Sequence, residues 1–144
     1  MEQRIQIDKT EPKAYEAMFG LEKYLSQSTL EKRLVHLLKI RASQINGCAF
    51  CINMHTQEAL ADGEDPKRIF LLDAWAETEM FTEKERAALR MTEEVTLIHE
   101  GGLDSVTYAH ANQVFTENEI SQIIMAIVTI NAWNRIAIAT KKPF

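Results

Sequence analysis

The sequence predicts an all-α protein, a single domain of about seven helices that covers residues 1–144. Three motifs in which Ser or Thr is followed three residues later by Glu start at Ser28, Thr82 and Thr116, and each precedes an apolar stretch. Apolar residues in these stretches recur at helical spacing. No run of alternating apolar and polar residues, typical of a half-buried strand, is bounded by turns. A chain of 144 residues is long enough for one core and too short for two.

The first two helices are predicted on either side of the Ser28 motif. The first begins near Thr10 with Pro12 in its opening turn, where a missing N–H leaves no hydrogen bond unmade. One side of this helix is expected to carry Tyr15, Met18, Phe19 and Leu25. The second helix starts at the capping box of Ser28 and Glu31. It ends at Asn46-Gly47, because glycine accepts the left-handed conformation that follows a helix C-terminus.

The later helices follow similar start and stop signals. A third starts close to Cys48 and stops at Asp62-Gly63, and a fourth begins at Asp65-Pro66 and runs through Trp75. The Thr82 capping box starts the fifth. The remaining signals are the break at Gly101-Gly102, the cap of a short sixth helix at Asp104-Ser105, and the Thr116 capping box of the longest helix, which runs to roughly Thr140.

The last predicted helix is apolar on more than one face. Because Asn131, Asn134 and Arg135 interrupt its apolar residues, we do not expect it to span a membrane. A helix that is apolar nearly all round must be covered nearly all round, and in so small a domain a second protomer is the expected cover. The alternative is a central helix surrounded by the other helices of its own chain.

Composition and charge narrow the class of protein. The formal net charge of −5, with no cluster of Lys or Arg, argues against nucleic acid as a partner. The N-terminal residues lack the apolar stretch of a signal peptide, so we expect a cytoplasmic protein with no membrane partner. In a reducing compartment, a Cys-x-x-Cys pair is more often catalytic, redox-active or metal-binding than a structural disulfide.

The two cysteines of the chain, Cys48 and Cys51, are followed by His55. In a helix that starts at Cys48, all three side chains lie on one face. Residues three apart in a helix have Cα atoms about 5 Å apart, a separation that a disulfide tolerates. The helix N-terminus favours ionisation of Cys48 most directly, whereas His55 favours Cys51 as the thiolate. Spacing alone therefore leaves open which cysteine is the nucleophile.

Two other interpretations of these residues remain. The cysteines could be inert small hydrophobic residues of a core helix. Alternatively, Cys48, Cys51 and His55 could supply three ligands of a zinc ion. The other histidines, His36, His99 and His110, are isolated from one another in the sequence, and the chain has no further cysteine to complete a zinc site.

The segment Leu38–His55, LKIRASQINGCAFCINMH, resembles the core motif of the alkylhydroperoxidase D-like proteins within the carboxymuconolactone decarboxylase family. INAWNR, from Ile130 to Arg135, resembles their final-helix motif. The resemblance implies an all-helical fold of the alkylhydroperoxidase D type, assembly into trimers or hexamers, and reduction of peroxides. It also implies that the peroxide attacks Cys51, that Cys48 resolves the sulfenic acid into a disulfide, and that His55 relays protons.

The sequence departs from this family at two positions. Members often carry a glutamate of the proton relay twelve residues before the first cysteine, where this chain has His36. We expect His36 to relay protons with a different pH dependence, because only a protonated imidazole stabilises a thiolate. The alternative is a solvated or core-satisfied helix histidine with no part in the relay. Better-known members place a histidine immediately before the second cysteine, where this chain has Phe50. Trp133 is expected in the core or an interface, and Tyr15 is a candidate to approach the thiols.

The hypothesis is therefore a cysteine-based hydroperoxide reductase with Cys51, Cys48, His55 and His36 as its site residues. It needs a hydroperoxide substrate and an external dithiol reductant, but no metal or organic cofactor. One alternative is a disulfide adaptor that passes electrons from a dithiol donor to a separate peroxidase. The other is a non-enzymatic helical module, zinc-stabilised or simply oligomeric.

Overall fold

In a computed structural model, residues 4–144 are described, and they form eight α-helices and two 3-10 turns with no β-strand among them. The α-helices are α1 (Ile7–Thr10), α2 (Pro12–Ser26), α3 (Lys32–Asn46), α4 (Ala49–Ala61), α5 (Pro66–Phe70), α6 (Glu83–Thr96), α7 (Ser105–Val114) and α8 (Glu117–Ala139). The 3-10 turns span Leu72–Glu77 and Ile98–Glu100. The all-α prediction is confirmed. The number of α-helices among the described residues is eight instead of about seven, because the one-turn α1 precedes the first predicted helix.

Two of the three predicted capping boxes are confirmed. The hydroxyl groups of Thr82 and Thr116 each accept the N–H of the glutamate three residues later, at 3.2 Å. The glutamates accept the threonine N–H groups in return. The predicted box at Ser28 is wrong, since α3 begins at Lys32 with no side-chain cap. The Ser28 N–H donates instead to the carbonyl of Leu25 in the turn that closes α2.

The predicted fourth helix is shorter than expected. It ends at Phe70, and Trp75 lies in the following 3-10 turn, where Ala74 has non-helical backbone angles. Side chains of α6 hold this turn: the Trp75 indole N–H donates to Glu93 at 2.8 Å, and Arg86 donates to the carbonyls of Trp75 and Thr78. Tertiary hydrogen bonds therefore replace the helical ones that periodicity predicts.

The core forms where α3, α6 and α8 pack together, and α4 packs on α3 and α8. Its fully buried side chains include Leu37, Leu38, Ile40, Leu89, Met91, Ile123, Ile127 and Ile130. By length and composition alone α8 could cross a membrane, and 39% of its apolar stretch is buried inside the structure. Helices of the same chain therefore cover one side of α8. Val128 and Ile138 stay exposed on that helix, and homo-oligomerisation remains a prediction.

The side-chain amides of Asn46, Asn131 and Asn134 join the C-terminal end of α3 to α8. Asn134 is fully buried; its Nδ2 donates to Ser43 Oγ at 3.0 Å, and its Oδ1 accepts from Asn46 Nδ2 at 2.8 Å. Asn46 Nδ2 also donates to Asn131 Oδ1 at 2.9 Å, and Asn131 Nδ2 donates to Thr96 of α6. These bonds satisfy polar groups that burial would otherwise penalise, and they fix the end of α3 just before the cysteines.

Gly47 makes the turn from α3 into α4. Its φ of +68° lies in the left-handed region, as predicted from its place at the helix end. The Cys48 N–H then donates to the carbonyl of Ser43 at 3.0 Å, which closes the end of α3. Cys48 is thereby placed at the position that caps α4.

A matched pair of glycine substitutions tests whether position 47 requires glycine because its φ is positive. Nothing lies within 4 Å of an added Cβ at either Gly47 or Gly20, but only Gly47 has a positive φ. We expect Gly47→Ala to lower the free energy of unfolding by about 1 kcal/mol, and Gly20→Ala, in the middle of α2, to raise it by about 0.5 to 1 kcal/mol. Denaturant unfolding measures both, and equal effects of the two substitutions would contradict the assignment.

Asn134→Ala tests how much the side-chain hydrogen bonds of Asn134 contribute to stability. The substitution leaves a cavity and removes the partners of Ser43 and Asn46, so we expect the free energy of unfolding to fall by about 2 to 4 kcal/mol. Asn118→Ala, at an exposed position of the same helix, is the control and should change it by less than about 0.5 kcal/mol. Similar losses in both variants would show that the buried hydrogen bonds are not the cause.

Candidate functional site

Cys48 and Cys51 lie one helical turn apart at the start of α4 and are joined as a disulfide, with Cα atoms 5.3 Å apart. Cys48 is the N-cap residue, and its Sγ accepts the Cys51 N–H at 3.3 Å. Both side chains are buried, at 1% and 2% exposure. The predicted helical placement of the pair is therefore found, and the sulfur atoms can be bridged without a change of fold.

A cavity of about 430 Å³ opens beside the cysteines. Cys51 lines it, whereas Cys48 does not. Most of its wall is apolar and aromatic, formed by Tyr15, Phe19, Phe50, Met54, Trp133 and Ile136. We call this cavity the thiol pocket. Of the two cysteines, only Cys51 thus forms part of the wall that a molecule entering the pocket would meet.

His55 also lines the thiol pocket, one turn of α4 beyond Cys51. Its Nδ1 lies 2.8 Å from Glu58 Oε2, so the N–H at Nδ1 donates to the carboxylate. Its Nε2 is buried and has no hydrogen-bond partner. An unpaired imidazole nitrogen in a buried pocket is a base available to a nearby thiol.

Burial lowers the pKa of His55 below its ordinary value of 6.5, and the hydrogen bond to Glu58 opposes this only in part. His55 is therefore neutral in the folded protein near pH 7. Because the unfolded chain binds this proton more readily, the contribution of His55 to stability falls as the pH drops below about 6.5. The neutral form is the one that accepts a proton from a thiol.

The structure does not bring His36 into the thiol pocket. Its Nε2 lies 2.6 Å from Asp62, and that hydrogen bond together with Lys32 lowers the pKa of the Asp62 carboxyl. His36 lines a neighbouring cavity of about 630 Å³, which we call the second cavity. Within residues 4–144 no hydrogen bond joins His36 to His55 or Glu58. A relay through His36 would need water between the two cavities.

Three polar side chains lie between the two cavities and line both of them. They are Glu22, Lys39 and Glu58. Glu22 is held at both oxygens, since it accepts from the Trp133 indole N–H at 3.0 Å and from Lys39 Nζ at 3.4 Å. These three side chains separate the apolar thiol pocket from the more polar second cavity.

Sequence reasoning missed most of this polar wall. Glu22 is distant in sequence from Trp133 and the cysteines, so no local pattern connects it to them. Glu58 could have been predicted from the sequence as a partner of His55, because it stands three residues later on the same helix face. Tyr15, a candidate in the sequence, does line the pocket. Trp133, expected in the core or an interface, lines it as well and packs edge-on against Tyr15 with ring centres 5.2 Å apart.

The remaining histidines lie away from the site. Within residues 4–144, the acidic side chains within 4 Å of His99 and His110 are Glu100 and Glu83, respectively. Across the described part of the chain, no group of three or more His, Cys, Asp or Glu side chains is arranged to hold a metal ion.

Comparison with known proteins places this site in a family. Residues 12–94 match the model of the carboxymuconolactone decarboxylase family. The uncharacterized protein YdfG of Bacillus subtilis is 39% identical over 139 residues, which cover 96% of this chain and 95% of that protein. The crystal structure of ATU0492 from Agrobacterium tumefaciens, a protein of unknown function suggested to be the antioxidant defence protein AhpD, superposes with a TM-score of 0.95. It is 42% identical, with 99% of this chain and 97% of that chain covered.

A more distant structure shares the fold. An uncharacterized peroxidase-related protein of Ralstonia eutropha with an alkylhydroperoxidase AhpD core superposes with a TM-score of 0.83 at 16% identity, over 94% of this chain and 73% of that chain. The family match covers more than half of the sequence, and the close relatives cover nearly all of it. The chain therefore belongs to the carboxymuconolactone decarboxylase family, as an alkylhydroperoxidase D-like member.

Proposed function

We propose that the protein is an oxidoreductase that reduces organic hydroperoxides with the Cys48–Cys51 pair. The observation that carries the proposal is the position of Cys51, which lines an apolar pocket beside a neutral imidazole with an unpaired nitrogen. Cys48 lies next to it but outside the pocket wall. This asymmetry supports Cys51 as the attacked thiolate and Cys48 as the resolving thiol, the roles that the resemblance implies.

The proposed cycle starts from the dithiol. His55 Nε2 takes the proton of the Cys51 thiol, and the thiolate attacks the terminal oxygen of the hydroperoxide. The O–O bond breaks, the sulfur becomes a sulfenic acid, and the alkoxide takes the proton from His55 and leaves as the alcohol. The Cys48 thiol then attacks the sulfenic sulfur, which releases water and forms the disulfide. An external dithiol restores the pair by exchange and is itself oxidised to a disulfide.

Glu58 fixes the orientation and the tautomer of His55 in this scheme. A hydrogen bond from Nδ1 leaves the lone pair on Nε2, the ring nitrogen that has no hydrogen-bond partner. His36 enters the proposal as an outer proton donor, because Glu58 lines both the thiol pocket and the second cavity. A homo-oligomer, trimer or hexamer, and a cytoplasmic location remain part of the proposal, as expectations from the sequence.

The route for the reductant favours peroxide reduction over the adaptor hypothesis. Both sulfur atoms are nearly inaccessible, so a protein thiol on a rigid surface cannot reach them. A small dithiol, or one on a flexible arm, reaches Cys51 through the thiol pocket. Exchange with a separate peroxidase would need a similarly slender contact, and we therefore place the adaptor role second. The hypothesis of a zinc-stabilised or simply oligomeric module does not account for the thiol pocket or for the orientation of His55.

Counting thiols tests the roles of the cysteines. One equivalent of a hydroperoxide should consume both thiols of the reduced wild-type protein, the only two in the chain. In Cys48→Ser a sulfenic acid should accumulate on Cys51 and be trapped by a dimedone reagent, since its resolving partner is gone. Cys51→Ser should keep its single thiol. Two unreacted thiols in the wild type would refute the proposal, and a sulfenic acid on Cys48 would reverse the roles.

The pH dependence of thiol oxidation tests His55 and Glu58. The rate should fall on the acidic side as His55 becomes protonated, below pH 6.5 because its pKa is lowered. Glu58→Gln removes the carboxylate that opposes this lowering, so the acidic limb should move to lower pH and the plateau rate should fall about tenfold. Glu16→Gln, at an exposed position of α2, is the control. An unshifted limb in Glu58→Gln would exclude the proposed role of Glu58.

A further inference from the structure

The thiol pocket is also lined by Lys142, which has no acidic partner among residues 4–144. Lys142 Nζ lies 5.4 Å from the ring centre of Phe50 and 5.7 Å from that of Tyr15, and its one side-chain hydrogen bond is to the Tyr15 hydroxyl at 3.4 Å. No carboxylate of residues 4–144 lies within 4 Å of it. A cation that rests on two aromatic rings retains its charge for a ligand.

The backbone after α8 holds this lysine over the pocket. Lys141 has a φ of +49°, and it is the only residue other than glycine with a positive φ in the described range 4–144. The Lys142 N–H donates to the carbonyl of Ala137 at 3.0 Å, which turns the chain back over the end of the helix. A left-handed conformation at a residue with a side chain is costly, and such residues concentrate at functional sites.

The charges of the pocket are unevenly distributed. The carboxylate of Glu22 is matched by Lys39 and the Trp133 indole, and that of Glu58 is bound to His55. Both acidic side chains belong to the wall shared with the second cavity, and Lys142 does not. Trp133, which donates to Glu22, packs against Tyr15, whose hydroxyl accepts from Lys142. The pocket thus has a reactive sulfur, an apolar middle and one unmatched positive charge.

We propose that the thiol pocket selects hydroperoxides with an aromatic or compact apolar body and a carboxylate, and that Lys142 binds that carboxylate. The body packs against Phe50, Tyr15 and Trp133 while the hydroperoxide group reaches Cys51. The volume of about 430 Å³ lies in the range of small-molecule sites. This inference names a substrate class for the proposed function and rests on it for turnover, although binding to Lys142 does not require turnover.

A pair of peroxides that differ only in charge tests the selection. We would compare cumene hydroperoxide with its para-carboxylate derivative, using the full chain and a saturating small dithiol. Lys142→Met keeps an apolar stem over the rings and removes the charge. It should raise KM for the carboxylate roughly tenfold with little change in kcat, and it should leave KM for cumene hydroperoxide within about twofold. Lys67→Met makes the equivalent charge change at an exposed position of α5 that lines neither cavity, and it should alter neither KM.

Binding without chemistry separates this inference from the proposed function. Calorimetry of the oxidised protein with 4-isopropylbenzoate should give a Kd roughly tenfold higher in Lys142→Met than in the wild type, and 4-isopropylbenzamide should show no such difference. If neither peroxide is reduced but benzoate binding depends on Lys142, the proposed function fails and the anion site stands. If both peroxides are reduced and neither KM nor Kd depends on the charge at Lys142, the anion site is refuted and the proposed function stands.

Discussion

The hydrogen bonds of Asn134 are the contact on which the site depends. Through Ser43 and Asn46 they join the last helix to the end of α3, and Gly47 then turns the chain so that Cys48 caps α4. A buried amide without partners costs more free energy than a made hydrogen bond gains, so this arrangement has few alternatives. The same helix contributes Trp133 to the thiol pocket. The final-helix motif and the cysteine motif are therefore two parts of one structural unit.

Successive turns of α4 carry the different groups of the site. Its first turn holds the two sulfur atoms, its second turn brings His55 to the pocket, and Glu58 holds the imidazole from the same face. Helical spacing alone positions these groups relative to one another. The tertiary structure adds what spacing does not supply, which is the burial that keeps His55 neutral and the aromatic wall contributed by α2 and α8.

Much of the fold was predictable because it depends on local chemistry. The capping boxes at Thr82 and Thr116 and the glycine at the end of α3 satisfy backbone groups within a few residues, so they can be recognised in the sequence. The Ser28 box failed because the end of α2 takes that segment into its own turn. Glu22 and Lys142 could not be found in this way, since each meets the site only after the distant helices α2 and α8 have packed. His36 stands where the resemblance places a glutamate, yet it is hydrogen-bonded to Asp62 and lines the second cavity instead of the thiol pocket.

The near-complete enclosure of the sulfur atoms has a kinetic consequence. If oxidant and reductant both reach Cys51 through the same opening, they cannot be present together, and each must leave before the other enters. Turnover then follows a double-displacement pattern in which a high concentration of either reactant delays the other. Under the proposed function, turnover would be fastest when the supply of electrons and the supply of peroxide are balanced, because both reactants use the pocket beside Cys51.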